Sequence, residues 1–321
     1  MTLENNLYRC AAVFSSKNIL VYKDGKYSGA DISSKINGQI LVGDYLLCEI
    51  VYEKIYANKI VRRRNLIQRM QAGKMQGLVA NVDVIFIVTS ANQDFNLARL
   101  ERYYIIAKES KAKICFVLSK IDLSDNYEEL AHIISKRFPQ SAVEKTSIYN
   151  SDKTLPLFNY WNENETAVFL GRSGVGKSSL INLMLENEII KTQGIRESDG
   201  HGRHTTTVRH MYILPNGRVV IDTPGLRSIG VSAMADTIDE LFPEIKELET
   251  KCKFKNCSHL SEPGCAIRRA LDNNELDYDS YLRYLKLVGD EAKRQPLLKG
   301  KAYQKEDVIK KLKMPRRNMK S

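Results

Sequence analysis

The spacing of apolar positions changes as the chain proceeds. Up to about residue 70 they fall into short runs, at 8–14, 18–22, 39–42 and 45–50, separated by Asp24-Gly25 and Gly43-Asp44. Short runs between glycine turns predict strands, and no helical period interrupts them. A small antiparallel β-barrel is expected; the five-stranded oligonucleotide-binding (OB) type suits the length, although pattern alone leaves the topology open. From Val82 onward, apolar runs at 84–89, 114–118, 142–146 and 167–170 alternate with helical periods at 97–109, 127–138 and 177–185. Two further strands, 208–214 and 218–221, flank a Pro215-Asn216-Gly217 turn. Continuous apolar strands between helices predict an α/β domain, a mostly parallel sheet covered on both faces. Ligands of such sheets bind at the C-terminal strand ends. The final part is helical at 266–271 and 281–294 and mixed in charge, then ends in a basic tail. These shifts place domain limits at 1–72, 73–230 and 231–321.

Composition adds two constraints. With 43% hydrophobic and 27% charged residues the chain falls among folded proteins, which excludes wholesale disorder. Its apolar runs are far shorter than the roughly 20 residues that span a bilayer, so no membrane partner is expected. The first residues include Glu4 and lack an apolar signal core, making the cytoplasm the expected compartment. Lys and Arg number 49 against 38 Asp and Glu, a formal charge of +11 that points to a polyanionic partner, best a nucleic acid. Basic residues concentrate at Arg62, Arg63, Arg64 and Arg69 and again beyond Arg294, although either cluster alone also reads as a solvated surface.

The most specific motif is Gly171-Arg172-Ser173-Gly174-Val175-Gly176-Lys177-Ser178, followed by Ser179 and set between an apolar strand and an amphipathic helix. This is a phosphate-binding P-loop: its glycines let backbone N–H groups converge on phosphate oxygens at a helix N-terminus. Lys177 is expected to reach the terminal phosphates and Ser178 to hold Mg²⁺. Asp222-Thr223-Pro224-Gly225 follows the strand at 218–221, and the aspartate is placed to hold the Mg²⁺ shell while Gly225 offers an N–H to the terminal phosphate. Between them, residues 194–209 are rich in Gly, Ser, Thr and charge, as in a segment ordered by triphosphate. Thr205, Thr206 and Thr207 each offer a second hydroxyl to Mg²⁺, and spacing to the next strand favours Thr206.

Base choice falls to Ser119-Lys120-Ile121-Asp122, after the strand at 114–118. A carboxylate there accepts N1–H and the exocyclic amine of guanine, which adenine cannot reproduce. The stem of Lys120 is expected to pack on the base, and Thr146-Ser147 to place a backbone N–H against O6. In ordinary GTPases the phosphate loop precedes the guanine segments; here it follows them, a circular permutation that keeps the same spatial site.

Of six cysteines, Cys10, Cys48 and Cys115 are isolated and expected to be buried thiols. Cys252, Cys257 and Cys265 lie close together with His259 among them, a ligand set for one structural, tetrahedral Zn²⁺. Four protein ligands leave no position for a reactive water, and the metal is expected to stabilise a region with few apolar residues.

The chain resembles the ribosome small subunit-dependent GTPase A family over nearly its whole length. The resemblance rests on the P-loop, Gly202-Arg203-His204-Thr205-Thr206-Thr207, Asp222 to Gly225, the permuted order and the Cys252, Cys257, His259, Cys265 set. It implies an OB barrel that touches small-subunit (30S) RNA, a permuted GTPase domain and a mainly helical zinc domain. It further implies slow intrinsic turnover of GTP to GDP, stimulated by the subunit, in late subunit maturation. Two positions depart from common GTPase patterns. Ser119 stands where many carry Asn and is expected to lose a contact to the phosphate loop. Leu226 stands where a water-orienting glutamine is familiar, so His204 becomes the internal candidate for that role, with an RNA contact or loop cap as its alternative. A GTP-dependent translation or transport factor without ribosomal RNA is opposed by the barrel and charge. An RNA-binding module with a vestigial site is opposed by the intact Lys177, Ser178 and Asp222. A monomer is the simplest state.

Overall fold

The computed structural model describes residues 6–71, 74–150, 154–185, 209–223, 235–259 and 262–292. The chain forms two compact units, one of residues 1–69 with 76–229 and one of 70–75 with 230–321.

In the first unit, β1 (Leu7–Val13), β2 (Asn18–Lys23), β3 (Lys26–Ile32), β4 (Tyr45–Val51) and β5 (Lys54–Ile60) form a barrel in the order β1-β2-β3-β5-β4. Pairing of β1 with β4 closes it, and the β3–β5 pair is parallel. Cys10, Ile19, Val21, Leu46, Cys48 and Ala57 fill the interior. The expected strand at 39–42 is absent: Ile40, Leu41 and Val42 are all buried in an irregular segment. Three successive buried side chains suit a packed plug, since a half-buried strand would alternate. Asp44 fixes that segment, accepting from the Leu41 N–H at 2.8 Å and pairing with Arg63 at 2.6 Å.

After the barrel, β6 (Leu66–Gln71) and β7 (Lys74–Ala80) form a separate two-stranded sheet that the apolar pattern did not indicate. The α/β part then runs β8 (Val84–Ser90), α1 (Leu97–Glu109), β9 (Lys113–Ser119), α2 (Tyr127–Arg137), β10 (Ala142–Lys145), β11 (Thr166–Leu170), α3 (Lys177–Met184), β12 (His210–Ile213) and β13 (Val219–Asp222). Its strand order is β10-β9-β8-β11-β13-β12. All neighbours are parallel except β12, which runs antiparallel to β13. Every residue of β8 is buried, as a strand covered on both faces requires. Helix α1 starts where Asn96 accepts the Arg99 N–H at 2.9 Å, a side-chain cap for an otherwise orphaned donor. Phe86, Phe169 and Trp161 form the core, with Phe86 and Trp161 edge to face at 5.3 Å.

Barrel and α/β sheet are continuous because β1 pairs antiparallel with β12, Ala12 opposite His210. Several polar contacts hold this joint. The Arg9 guanidinium donates to Thr166 Oγ1, and Asn81 Nδ2 donates to Gly43 O at 3.0 Å. Arg64 pairs with Asp83 at 2.7 Å, and Asp83 also accepts the Thr166 N–H at 2.8 Å. Gly43 has φ +91°, and a Cβ there would lie 2.2 Å from Ala80 O. Thus Arg63, expected as part of a basic surface, is largely covered by its pair with buried Asp44, whereas Arg64 stays exposed although it pairs with Asp83.

The second unit contains α4 (Ala235–Leu241), α5 (Pro243–Thr250), α6 (Ala266–Asp272) and α7 (Tyr278–Ala292). Among the described residues no helix is long and apolar enough to cross a membrane.

Candidate nucleotide site and metal centre

Parallel pairing brings the C-terminal ends of β8, β9, β11 and β13 to one edge of the sheet, where loops meet in an α/β fold. The loop after β11 is the P-loop. A Cβ on Gly171 would lie 2.5 Å from Val88 O, so only glycine lets this loop pass β8. Gly174 and Gly176 have φ +86° and +95°, which side chains disfavour. Val175 is buried in the core and anchors the loop, whereas Arg172, Ser173, Ser178 and Ser179 are exposed. Arg172 pairs with Asp94, in the loop after β8.

Lys177 is buried, and its Nζ donates to Gly171 O at 3.0 Å and Arg172 O at 2.9 Å. Burial pulls its pKa down, and the Asp222 carboxylate opposes that shift. Ser178 Oγ donates to Asp222 Oδ2 at 2.9 Å. The other carboxylate oxygen, Oδ1, is buried and without a hydrogen-bond partner, and burial raises the Asp222 pKa. A buried oxygen lacking a donor, beside a hydroxyl, fits a hard divalent cation such as Mg²⁺. Thr223 Oγ1 donates to Phe169 O at 2.6 Å and pins this turn to β11.

On the other side of the P-loop, Ser119 ends β9 at 2% exposure, its Oγ 2.6 Å from Val175 O and 3.0 Å from Thr89 O. The expected loss of contact to the phosphate loop does not occur: the shorter serine hydroxyl still reaches it. Lys120 takes the left-handed conformation at φ +58° and donates to Gly174 O at 2.7 Å, stretching its stem along the loop. Asp122 Oδ1 accepts from Ser147 Oγ at 2.5 Å. Ile121 is turned into the core and contributes its backbone, with its N–H donating to Thr146 O at 3.3 Å. The Thr146 N–H is committed to Leu118 O at 2.8 Å, which leaves Ser147 as the candidate to meet a base oxygen. Lys120, Asp122, Thr146, Ser179, Ile148 and Tyr149 are among the residues around a cleft of about 220 Å³. Asp94 and Tyr149 carried no sequence signal, since neither stands in a motif. His204, Thr206, Gly225 and Leu226 lie outside the described residues.

In the second unit, one donor atom from each of Cys252, Cys257, His259 and Cys265 lies within 4.8 Å of the others. His259 Nδ1 is 3.6 Å from Cys252 Sγ and 3.5 Å from Cys265 Sγ. A tetrahedron with ordinary Zn–S and Zn–N bonds has an S···N edge of about 3.6 Å, so the donors fit that ion. Burial first, then neighbouring thiols, push the Cys257 thiol up to about 12, a proton load that a cation would displace. His259 Nε2 faces Glu249 Oε1 at 3.7 Å, and Tyr284 donates to that oxygen at 3.0 Å. A carboxylate behind a ligating imidazole fixes its ring orientation. Glu249 escaped sequence reading because it sits on α5, outside the cysteine spacing.

A P-loop on one strand end, a Lys-x-Asp triplet on a neighbouring one and the reversed chain order of β9 and β11 define a circularly permuted P-loop GTPase fold. The family model "RsgA GTPase" matches residues 60–232. The small ribosomal subunit biogenesis GTPase RsgA 2 of Vibrio parahaemolyticus is 39% identical over 254 residues, covering 78% of this chain and 70% of that protein. RsgA of Methanosarcina acetivorans is 40% identical over 267 residues, covering 80% and 71%. The chain therefore belongs to the RsgA GTPase family. In fold it is similar to crystal structures of YjeQ from Thermotoga maritima, with TM-score 0.58, 22% identity and coverage of 90% of this chain and 99% of that one. It is likewise similar to YloQ, described as a circularly permuted GTPase, with TM-score 0.56, 23% identity and coverage of 90% and 96%.

Proposed function

We propose that this protein binds GTP at the β-sheet edge, hydrolyses it to GDP and phosphate, and serves late maturation of the small ribosomal subunit, which stimulates its turnover. The observation that carries the reading is the convergence of Lys177, the Ser178–Asp222 pair and Asp122 on one edge of the sheet. The relatives' names as small ribosomal subunit biogenesis GTPases, the OB-topology barrel and the formal charge of +11 support the ribosomal part.

In this reading Asp122 reads the guanine edge, Lys120 covers one face of the base, and Ser147 supplies the N–H to O6. The P-loop N–H groups and Lys177 hold the β- and γ-phosphates. Mg²⁺, held by Ser178, Thr206 and the Asp222 carboxylate, would neutralise charge on the phosphate oxygens. Water attacks the γ-phosphorus in line, the bond to the bridging oxygen breaks, and GDP leaves with that electron pair while the water's proton passes to phosphate oxygen. His204 orients the water, and Gly225 donates its N–H to the γ-phosphate. Leu226 cannot polarise water, which accounts for dependence on the subunit. Zn²⁺ on Cys252, Cys257, His259 and Cys265 has a structural role. The N-terminal part (1–72), which carries the barrel, contacts ribosomal RNA, the GTPase core spans 73–230, and the metal-bearing part spans 231–321. The protein acts as a cytoplasmic monomer.

The test is GTP turnover with and without purified small subunits over a range of salt. Stimulation that falls as salt rises is expected for docking on phosphate backbone. An unchanged rate at every salt concentration overturns the ribosomal reading.

A further inference from the structure

The base-reading residues are polar, yet the cleft around them carries an unusual amount of bare apolar surface. Leu123 is 63% exposed, Ile148 45% and Tyr149 83%, and all three line the cleft that contains Asp122. Large apolar side chains gathered around an exposed carboxylate at a cleft mark a surface that a ligand covers.

Their placement is built rather than loose. Ser147 Oγ donates to Asp122 Oδ1 at 2.5 Å and accepts the Tyr149 N–H at 3.2 Å. A bridge from Ser147 to Asn150 closes the turn that carries Ile148 and Tyr149. Leu123 sits in a 3-10 turn, Ile121–Leu123, whose N–H is donated to Lys120 O at 3.0 Å. One hydroxyl thus couples the carboxylate that reads the base to the backbone of the tyrosine beside it. The Lys120 stem is tied to Gly174 O and belongs to the opposite, phosphate-loop side of the cleft.

We propose that Leu123, Ile148 and Tyr149 form an apolar collar that the guanine base covers on binding, with the Tyr149 ring as its stacking surface. The inference rests on the guanine reading of Asp122 and extends it: the carboxylate sets base identity, and the collar supplies affinity for any purine ring. Neither the triplet nor the P-loop predicts this division. It follows from exposed apolar area concentrated at one polar group.

The experiment compares Tyr149→Ala, Tyr149→Phe and Asp122→Asn by GDP affinity, steady-state GTP hydrolysis, and inhibition of hydrolysis by inorganic tripolyphosphate. Loss of a base-stacking ring is expected to weaken GDP binding about tenfold in Y149A. The loss should fall on KM rather than kcat, Y149F should restore it, and inhibition by tripolyphosphate, which has no base, should not move. D122N should instead shift preference from guanine to xanthine nucleotides. GDP affinity within twofold of wild type in Y149A, or equal weakening of tripolyphosphate, overturns the collar. If D122N fails to shift preference, the guanine reading itself fails, so the two failures are distinguishable.

Discussion

Replacing Ser119 by alanine tests how the base-reading and phosphate-reading loops are held together. The hydroxyl lies 2.6 Å from Val175 O and 3.0 Å from Thr89 O in a site only 2% exposed. Having one proton, it serves one carbonyl at a time, and the shorter distance assigns it to Val175. Alanine leaves that buried carbonyl without its donor, at a cost of about 1–3 kcal/mol. In a unit of this size, each kcal/mol lowers the thermal midpoint by roughly 2–4 °C, so S119A should melt about 2–12 °C below wild type. Because Val175 lies inside the P-loop and Ser119 adjoins Lys120, the cut also loosens the relative placement of the two half-sites. GDP dissociation should then accelerate by about tenfold, the equivalent of 1.4 kcal/mol. Differential scanning fluorimetry of the nucleotide-free protein and stopped-flow release of a fluorescent GDP analogue measure the two quantities. A midpoint within 1 °C of wild type together with an unchanged release rate, on the order of measurement error, would refute the argument.

Three other outcomes follow from the geometry. Removing metal with a chelator should unfold the segment between α5 and α6, and Glu249→Gln, which weakens the hold on His259, should lower zinc affinity about 10–100-fold in a competition assay; unchanged competition counts against the carboxylate. Gly43→Ala places a Cβ 2.2 Å from Ala80 O at φ +91°, whereas Gly25→Ala, at φ +80° with nothing within 4 Å, meets only backbone strain. G43A should therefore cost more than about 3 kcal/mol and G25A about 1–2, and equal losses would show that the joint is not tight. Burial pushes the Cys115 thiol from its ordinary 9.0 up to about 12. Since the unfolded chain loses that proton first, this group's contribution to stability is intact below pH 9 and declines between about pH 9 and 12. Melting curves of wild type and Cys115→Ala across that range should diverge in slope, and parallel curves would contradict the assignment.

Much of the candidate nucleotide site was legible because the proposed chemistry demands particular residues at particular spacings. Gly171 must pass Val88 O, Gly174 and Gly176 must adopt positive φ, and β8, buried throughout, must be apolar along most of its length. Less was legible in the barrel. Lys26–Ile32 and Lys54–Ile60 are rich in Lys, Tyr and Asn, because their outward faces are solvated, so they did not stand out as strands. Residues 39–42 had the apolar character of a strand but form a plug held by Asp44. Arg63 and Arg64 look like surface charge in sequence, and only the fold brings Asp44 and Asp83 against them. Tyr149 and Glu249 likewise are positioned beside neighbours that no local pattern specifies.

The strand order has a consequence for how the chain is made. In the finished sheet β8 lies between β9 and β11. During synthesis β9 and β10 emerge soon after β8, while β11 arrives only at residue 166. At about 5–20 residues per second that interval lasts on the order of 4–15 s. Throughout it, Val84–Ser90, apolar from Val84 to Val88, presents a free border, the kind of template on which nascent chains associate wrongly. The permutation that keeps the site residues together thus leaves a central, fully buried strand of the sheet unpaired on one side at the crowded exit of the translating ribosome.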